Sequence, residues 1–313
     1  MHRDLAKVGP MTFGLILPNK GTGVGPESLD AAASVATELG WRSGWVTDHL
    51  MVPRGDEADE YGWMLEALTA LTYVGARHDK LELGTSVIAP AIRDASQLAK
   101  ELATIDVLLG GRLTVGIGVN DSGDLTEFQN MGKQDRFVGR GAYVDEAVAL
   151  WRHLWSGSTE PFEGQFNALS DFTFAPLPAR GAGIPIWAGG RSARALRRTA
   201  ELGDGYHAAQ TGPDDLRERL PLLRDAFAIT GRPWPLISTR ARVKFGAEKG
   251  AVYSLVGSYD AMIDDVVSFA QVGNDELILT FQGHTPEELD SQVREFTREV
   301  IVPAAARFAD AVS

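Results

Sequence analysis

The stretch that decides the fold is residues 81–120, LELGTSVIAPAIRDASQLAKELATIDVLLGGRLTVGIGVN. It opens with an apolar run at 81–87 and closes with another at 113–119, and between them apolar residues recur at helical spacing from Leu98 to Leu109. A strand, a crossover helix and a strand of this length form a unit whose strands pair in parallel. We therefore predict a βαβ unit here and expect functional side chains where its strands end.

The rest of the chain repeats this alternation. Strands are predicted at 12–18, 44–47, 81–87, 113–119, 184–188, 205–208, 236–245 and 276–281. Helices are predicted at 26–39, 61–76, 98–109, 140–155, 192–202, 213–230, 258–272 and 286–308, with a loop insertion at 121–139 and a small hairpin at 161–178. Eight units without a long linker predict one α/β domain over residues 1–313, a (β/α)8 TIM barrel with loop insertions.

An open doubly wound sheet is the alternative, because it shares much of this alternation. Its dinucleotide fingerprint needs three glycines in the pattern G-x-G-x-x-G. Gly21 and Gly23 supply the first two, but Pro26 stands at the third position. Gly116 and Gly118 also lack a third partner, so the barrel is favoured.

The composition excludes several classes of function. A formal net charge of −12 argues against a nucleic acid or a membrane as partner, because either needs a basic protein face. The absence of cysteine removes disulfides, thiolate zinc sites, iron–sulfur clusters and cysteine nucleophiles. The six histidines form no H-x-H or H-E-x-x-H pattern, so no metal is predicted. The lack of a signal peptide or an apolar run of spanning length predicts a cytoplasmic protein.

Polar residues at the strand ends are the candidate site, because barrel active sites form from the loops that follow the strands. Asp48-His49 ends the second predicted strand, Thr85-Ser86-Val87 the third and Asn120-Asp121 the fourth. His207 ends the sixth, where a loop histidine with satisfied hydrogen bonds is the plainer interpretation. Several such residues on one rim predict a functional site.

The sequence Gly189-Gly190-Arg191-Ser192 ends the fifth strand at the start of a helix. Two residues without side chains let the backbone approach a ligand, and the helix start directs free N–H groups and a positive dipole end to the same place. This pattern predicts a phosphate site. A capped helix after a tight turn, with no ligand, would have the same sequence pattern. A bulky residue at Gly190 is expected to block the ligand and leave the fold intact.

A series of short motifs follows in one order along the chain. They are Leu83-Gly84-Thr85-Ser86-Val87, the run 98–106, Gly110-Gly111-Arg112-Leu113, Gly116-Ile117-Gly118-Val119, Glu127-Phe128, Arg140 ahead of Asp145-Glu146, Pro185-Ile186-Trp187-Ala188-Gly189-Gly190 and Gly203-Asp204-Gly205. Together, over about 11–281, they resemble the luciferase-like flavin and deazaflavin oxidoreductases. Each motif is weak alone, but the ordered set is specific.

The resemblance implies a (β/α)8 barrel that holds FMN or the deazaflavin F420 at its C-terminal mouth, usually as a homodimer. It also implies a bulge in the third strand, often with a non-prolyl cis peptide behind the cofactor ring, which would fall at Ser86-Val87. The cofactor-binding residues expected on this basis are Thr85, Ser86, Val87 and Asn120, together with Gly189, Gly190, Arg191 and Ser192.

The end of the second strand favours F420 over FMN. The run Trp45-Val46-Thr47-Asp48-His49-Leu50 resembles F420-dependent members, in which the histidine lies by the reactive ring. Those members often carry a glutamate after strand four, and Asp121 falls near that place. Pro53 replaces their tryptophan, which puts an alcohol or sugar-phosphate substrate in doubt more than the cofactor. We expect His49 to shuttle a proton, Asp48 to orient it and Asp121 to complete the catalytic set.

The expected function is hydride transfer between F420 and a small organic substrate of moderate polarity. Arg54, Lys133 and Arg136 lie in rim loops and are candidates for holding the acidic tail of F420. Two alternatives stay open on the sequence. One is an FMN-dependent monooxygenase, in which reduced flavin meets oxygen and a separate flavin reductase is the partner. The other is a flavin-binding protein without catalysis, which predicts no substrate-sized space above the ring.

Overall fold

Eight parallel strands close into a barrel in the computed structural model of the protein, which describes residues 5–121, 123–181, 183–248, 250–283 and 285–312. Each strand pairs with the next, and the last pairs with the first where Glu276 lies opposite Thr12. This closure confirms the predicted TIM barrel. The strands are β1 (Met11–Ile16), β2 (Ser43–Val46), β3 (Glu82–Ile88), β4 (Leu113–Ile117), β5 (Ile186–Gly189), β6 (Gly205–Ala209), β7 (Leu236–Phe245) and β8 (Glu276–Thr280).

Helices pack around the outside of the barrel. They are α1 (Pro26–Glu38), α2 (Ala67–Arg77), α3 (Ala95–Leu108), α4 (Arg140–Trp155), α5 (Ala193–Leu202), α6 (Pro213–Thr230), α7 (Tyr259–Val272) and α8 (Pro286–Phe296). Side chains cap several of their starts: Asp94 accepts from the Gln97 amide and Ser192 from the Ala195 amide. Such caps satisfy backbone N–H groups that have no partner in the first turn.

Apolar side chains fill both sides of the barrel wall. The rings of Trp45 and Trp187 lie 4.9 Å apart although their strands are not neighbours, so they meet inside the barrel. Ile16 and Ile278 complete this inner cluster. A larger cluster fills the space between strands and helices. Because both faces of the strands are buried, their sequences are nearly continuous apolar runs.

The second barrel helix starts later than predicted. The pattern indicated a helix at 61–76, but α2 begins at Ala67, and a separate short helix, Asp56–Tyr61, precedes it. The segment between them pairs with the loop after β1, where the Leu65 amide donates to the Asn19 carbonyl. Tertiary hydrogen bonds therefore override the helical pattern here.

The terminal helix is interrupted. It was predicted as one helix at 286–308, but α8 passes into a π-helical segment, Thr297–Ile301, before a last helix, Val302–Val312. Pro303 explains the interruption, because it has no N–H to donate to the carbonyl four residues earlier.

Smaller elements occupy the connections. The predicted hairpin is present, with Phe162–Glu163 antiparallel to Ala168–Leu169. The insertion predicted as loop at 121–139 contains a short helix, Leu125–Asn130, which its six residues are too few to reveal by helical spacing. The remaining elements are the strands Lys7–Val8 and Leu255–Gly257 and the 3-10 turns Pro90–Ile92 and Gln134–Arg136. Within the described ranges, no helix combines the length and apolar character needed to cross a bilayer.

Candidate active site

A cavity of about 500 Å³ opens at the carboxyl ends of the strands, where barrel enzymes place their active sites. Its wall brings together most of the residues proposed from the sequence. These are Asp48, His49, Ser86, Val87, Asn120, Asp121, Gly189, Gly190 and Arg191. Four strand ends therefore contribute these residues to one concave surface.

His49 is held on this wall by a carboxylate that the sequence reasoning did not assign. Its Nδ1 lies 2.9 Å from Oε2 of Glu127, which is almost completely buried. Burial lowers the pKa of His49, but the hydrogen bond and the charge of Glu127 outweigh it and raise that pKa above its ordinary value. The ring of Tyr61 packs on His49 at 4.5 Å. Since Nδ1 is occupied, Nε2 is the nitrogen available to a ligand.

Glu127 is itself fixed by the backbone that follows His49. Its Oε1 accepts from the amides of Leu50 at 2.5 Å and Met51 at 3.2 Å. Burial alone would raise the pKa of Glu127, but these bonds and His49 lower it, so the carboxylate is ionised. The pair thus combines a fixed anion with an imidazole whose pKa lies above its ordinary value.

Asp48 does not orient His49, which corrects the expectation from the sequence. Its buried carboxylate accepts from Nη2 of Arg93 at 2.6 Å and from the Ala89 amide at 3.1 Å. Burial raises the pKa of Asp48, against the opposing charge of Arg93. Arg93 also reaches Glu66 at 2.8 Å. Asp48 therefore fastens the end of β2 to the loop after β3, and its direct catalytic role stays a prediction.

Ser86 belongs to a buried hydrogen-bonded chain. Its Oγ lies 2.8 Å from Nε2 of His207, and Nδ1 of His207 lies 2.8 Å from Oγ of Ser238. Ser238 donates its own proton to the Tyr206 carbonyl, so it accepts from Nδ1–H and Ser86 donates to Nε2. Burial lowers the pKa of His207 to about 3, so this histidine is neutral. The plainer interpretation of His207, a satisfied histidine, describes its contacts.

The bulge expected in the third strand is present. The pairing of β3 with β4 shifts between Thr85 and Ile88, and the peptide between Ser86 and Val87 is cis. Two glycines make room for it. A Cβ at Gly116, on β4, would lie 2.1 Å from the Thr85 carbonyl oxygen, and one at Gly118, just after β4, would lie 2.5 Å from Val87 Cγ2. The pair Gly116-Ile117-Gly118 therefore serves this bulge and not a dinucleotide.

Two of the predicted cofactor-binding residues do not reach the cavity. Thr85 is buried, and its hydroxyl donates to the Gly116 carbonyl at 2.8 Å, which ties β3 to β4. Ser192 caps α5 by accepting from the Ala195 amide, so its hydroxyl is used within the helix start. Both side chains were predicted from their position at strand ends, but each satisfies a local backbone group instead.

Asn120 and Asp121 follow β4 and also line the cavity. Asn120 adopts a positive φ of 61°, and its Oδ1 is buried without a hydrogen-bond partner among the described residues. A buried acceptor of this kind is costly unless a ligand supplies a donor. Asp121 is exposed on the rim, and its amide donates to Asp124 at 2.7 Å.

At the predicted phosphate site, Gly190 packs closely against the helix that follows it. Gly190 has φ +125°, and an added Cβ would lie 2.7 Å from the Cβ of Ala195. A bulky residue at this position would therefore disturb the start of α5, so the expectation that the fold stays intact is wrong. Arg191 is exposed and lines the cavity, where it is free to reach an anionic ligand.

Tyr61 and Arg240 are among the cavity residues that were not predicted from the sequence. Tyr61 comes from the short helix after β2, and Arg240 from the middle of β7. The sequence does hold a signal for Arg240. Ser238, Arg240 and Arg242 stand at every second position of the strand, so they share one polar face. Among the predicted tail-binding residues, Arg136 is committed elsewhere, since it donates to the Arg93 carbonyl at 2.8 Å. No grouping of three potential metal ligands occurs in the part of the chain that the structure describes.

Comparison with known proteins places these features in a family. A sequence model described as luciferase-like monooxygenase matches residues 11–275. The F420-dependent glucose-6-phosphate dehydrogenase of Kineococcus radiotolerans is 30% identical over 233 residues, which cover 74% of this chain and 67% of the relative. The match thus spans about two thirds of that relative's length.

Solved structures share the fold. An F420-dependent secondary alcohol dehydrogenase in complex with an F420-acetone adduct superposes with a TM-score of 0.77 at 17% identity, covering 94% of this chain and 99% of the other. A type II Baeyer–Villiger monooxygenase from Pseudomonas putida, in complex with FMN, gives 0.76 at 13% identity, covering 94% and 98%. At these identities the likeness concerns the barrel architecture.

Proposed function

The chain belongs to the luciferase-like monooxygenase family, and we propose that it is an F420-dependent oxidoreductase that transfers hydride between the deazaflavin and a small organic substrate. The relative from Kineococcus radiotolerans supports F420 as the cofactor. The observation that carries the proposal is the imidazole of His49, which Glu127 holds on the wall of the cavity. A fixed proton-transfer group of this kind is what a hydride reaction requires beside its cofactor.

The cavity offers groups that fit such a cofactor. The backbone at Gly189 and Gly190, with Arg191 beside it, suits the phosphate and acidic tail of F420. The unpartnered Oδ1 of Asn120 suits an N–H donor on the ring system. Ser86 and Val87 form the bulge that would lie behind the ring. When bound, F420 supplies a ring carbon that accepts or delivers a hydride.

In this proposal His49 accepts and returns the proton of the substrate. Because Nδ1 donates to Glu127, Nε2 of the neutral ring carries a lone pair and can take the proton of a substrate hydroxyl. The imidazolium so formed is stabilised by the buried carboxylate. In the reverse direction the same group returns the proton to a carbonyl oxygen. Asp121, on the rim, is proposed as a second polar group that contacts substrate.

The FMN-dependent monooxygenase remains the second candidate, because the family description is that of a monooxygenase. A non-catalytic flavin-binding protein is disfavoured by a titrating His49–Glu127 pair, which a binding role alone does not need. We further propose a cytoplasmic homodimer, with a separate reductase as partner where the cofactor is used in its reduced form. The usual dimeric state implied by the family resemblance and the net charge of −12 support these assignments.

The experiment is anaerobic single turnover. Oxidised F420 is mixed with the protein and either glucose 6-phosphate or a set of secondary alcohols, and reduced F420 with acetone and other carbonyls, while the absorbance of the cofactor is followed. The parent is expected to convert F420 with at least one substrate, and His49→Ala to be slower by about 10²- to 10⁴-fold. His153→Ala, on α4 outside the cavity, is the matched control. Equal rates for parent and His49→Ala would remove His49 from the mechanism.

A further inference from the structure

Arg240 places a positive charge on the cavity wall without a carboxylate to balance it. Its Nη1 donates to the Ser86 carbonyl at 2.6 Å. Among the side chains that the structure describes, no carboxylate lies within 4.0 Å of its guanidinium. A half-buried arginine in proteins is normally paired, because an unpaired charge loses hydration without compensation. The remaining N–H groups of Arg240 are therefore available to a ligand.

The nearest acid is committed to other cations. Glu60 accepts from Lys20 and from Nη2 of Arg242, the latter at 2.8 Å, so one carboxylate serves two neighbours. Of the three basic residues, Arg240 is the one that lines the cavity, since neither Lys20 nor Arg242 belongs to its wall. The charge of Arg240 thus faces the ligand space.

This charge persists at neutral pH and is rigidly placed. Burial lowers the pKa of Arg240 to about 10, which leaves it protonated at pH 7. The Ser86 carbonyl that it binds belongs to the same residue whose hydroxyl is fixed by His207. Because His207 is neutral, it adds no second cation at this point. The guanidinium is therefore a preorganised charge of the kind that stabilises a developing anion.

We propose that Arg240 is the counter-ion for the negative charge that the deazaflavin ring gains on reduction. This inference rests on the proposed function. A hydride carries two electrons and one proton, so a neutral ring that accepts it acquires one negative charge. In the oxidation of an alcohol, the substrate C–H bond breaks, a ring C–H bond forms, and the hydroxyl proton passes to His49. Arg240 stabilises the reduced cofactor more than the oxidised one.

The test compares the dissociation constants of oxidised and reduced F420 under anaerobic conditions. Arg240→Gln removes the charge and keeps an N–H donor, whereas Arg240→Lys keeps the charge. We expect Arg240→Gln to weaken binding of reduced F420 at least tenfold more than binding of oxidised F420. For a two-electron couple, each tenfold change in this ratio lowers the reduction potential of the bound cofactor by about 30 mV. Arg240→Lys should keep a ratio near that of the parent.

Arg242→Gln is the matched control, because Arg242 lies two residues along β7 and pairs with Glu60 outside the cavity wall. Its ratio should equal that of the parent. An unchanged ratio in Arg240→Gln, or equal weakening of both redox forms, would overturn the counter-ion role. Failure of the parent itself to bind F420 would instead refute the proposed function, so the two failures are distinguishable.

Discussion

Nδ1 of His49 lies 2.9 Å from Oε2 of Glu127, although 78 positions separate the two residues in the chain. The short helix that carries Glu127 brings it under the end of β2. There the carboxylate also accepts from the two amides that follow His49. One anion therefore fixes both the loop and the imidazole.

The protonation of His49 should depend on this anion. Because Glu127 raises the pKa of His49, Glu127→Gln is expected to lower that pKa. Asp124→Asn removes a weaker and more distant charge, so it should lower the pKa by less. The measurement is an NMR titration of the His49 ring protons in the three proteins. An unchanged titration in Glu127→Gln would contradict the assignment.

Arg93 should be important for stability. The side chain of Asp48 is fully buried and that of Arg93 is 12% exposed, so loss of Arg93 leaves a buried carboxylate without its partner. We expect Arg93→Met to lower the free energy of unfolding by roughly 3–5 kcal/mol, measured by urea denaturation. Adding Asp48→Asn to this variant should recover part of the loss. A double variant as unstable as the sum of both single variants would show that the pair is not coupled.

A substitution of Arg191 tests the predicted phosphate site without disturbing the fold. The side chain is exposed, so Arg191→Gln should leave thermal stability unchanged. Loss of one charge-assisted hydrogen bond predicts about tenfold weaker binding of F420, with a difference that shrinks as salt increases. Arg197→Gln, exposed on α5, is the control. Equal affinity of the Arg191 and Arg197 variants for F420 would place the anionic part of the cofactor elsewhere.

Glu276 should make the stability of the barrel depend on pH. Burial raises the pKa of Glu276 from 4.5 to about 7, although nearby Arg42 opposes the shift. The folded state therefore binds this proton more tightly, and the free energy of unfolding falls as pH rises from about 4.5 to 7 and levels off above. Glu276→Gln removes this loss, so we expect it to be more stable than the parent at pH 8 by on the order of 3 kcal/mol.

Urea denaturation of Glu276→Gln and parent from pH 5 to pH 8 checks this prediction. Glu201→Gln, which changes an exposed residue of α5, serves as the control and should follow the parent. Parallel profiles for the parent and Glu276→Gln would mean that the buried carboxyl does not titrate in this range.

Most of the fold could be predicted because it depends on local patterns. The period of apolar residues gave strand and helix types, and α4, α6 and β7 have the predicted bounds. The errors occur where tertiary contacts or a single proline outweigh the pattern. Leu65 pairs with the loop after β1, and Pro303 interrupts the terminal helix.

The site was less predictable. A strand end in the sequence places a residue on the rim, but it does not identify the hydrogen-bond partner of the side chain. Asp48 and His49 are adjacent in sequence, yet they have different partners, Arg93 and Glu127. Arg93 comes from the loop after β3 and Glu127 from the short helix after β4, and no spacing links either of them to β2. Thr85 was predicted to bind the cofactor, but its hydroxyl donates to a backbone carbonyl of the neighbouring strand instead.

The identity of the bound cofactor separates hydride transfer from oxygen chemistry, and an anaerobic binding titration measures it. Purified protein is titrated anaerobically with F420 and with FMN, each oxidised and reduced, and oxygen is then admitted to the reduced complexes. We expect one F420 bound per chain, at least tenfold weaker binding of FMN, and no oxygen consumption beyond that of free cofactor. Tighter binding of FMN, with rapid oxygen consumption by its reduced complex, would contradict hydride transfer from F420 and establish the monooxygenase.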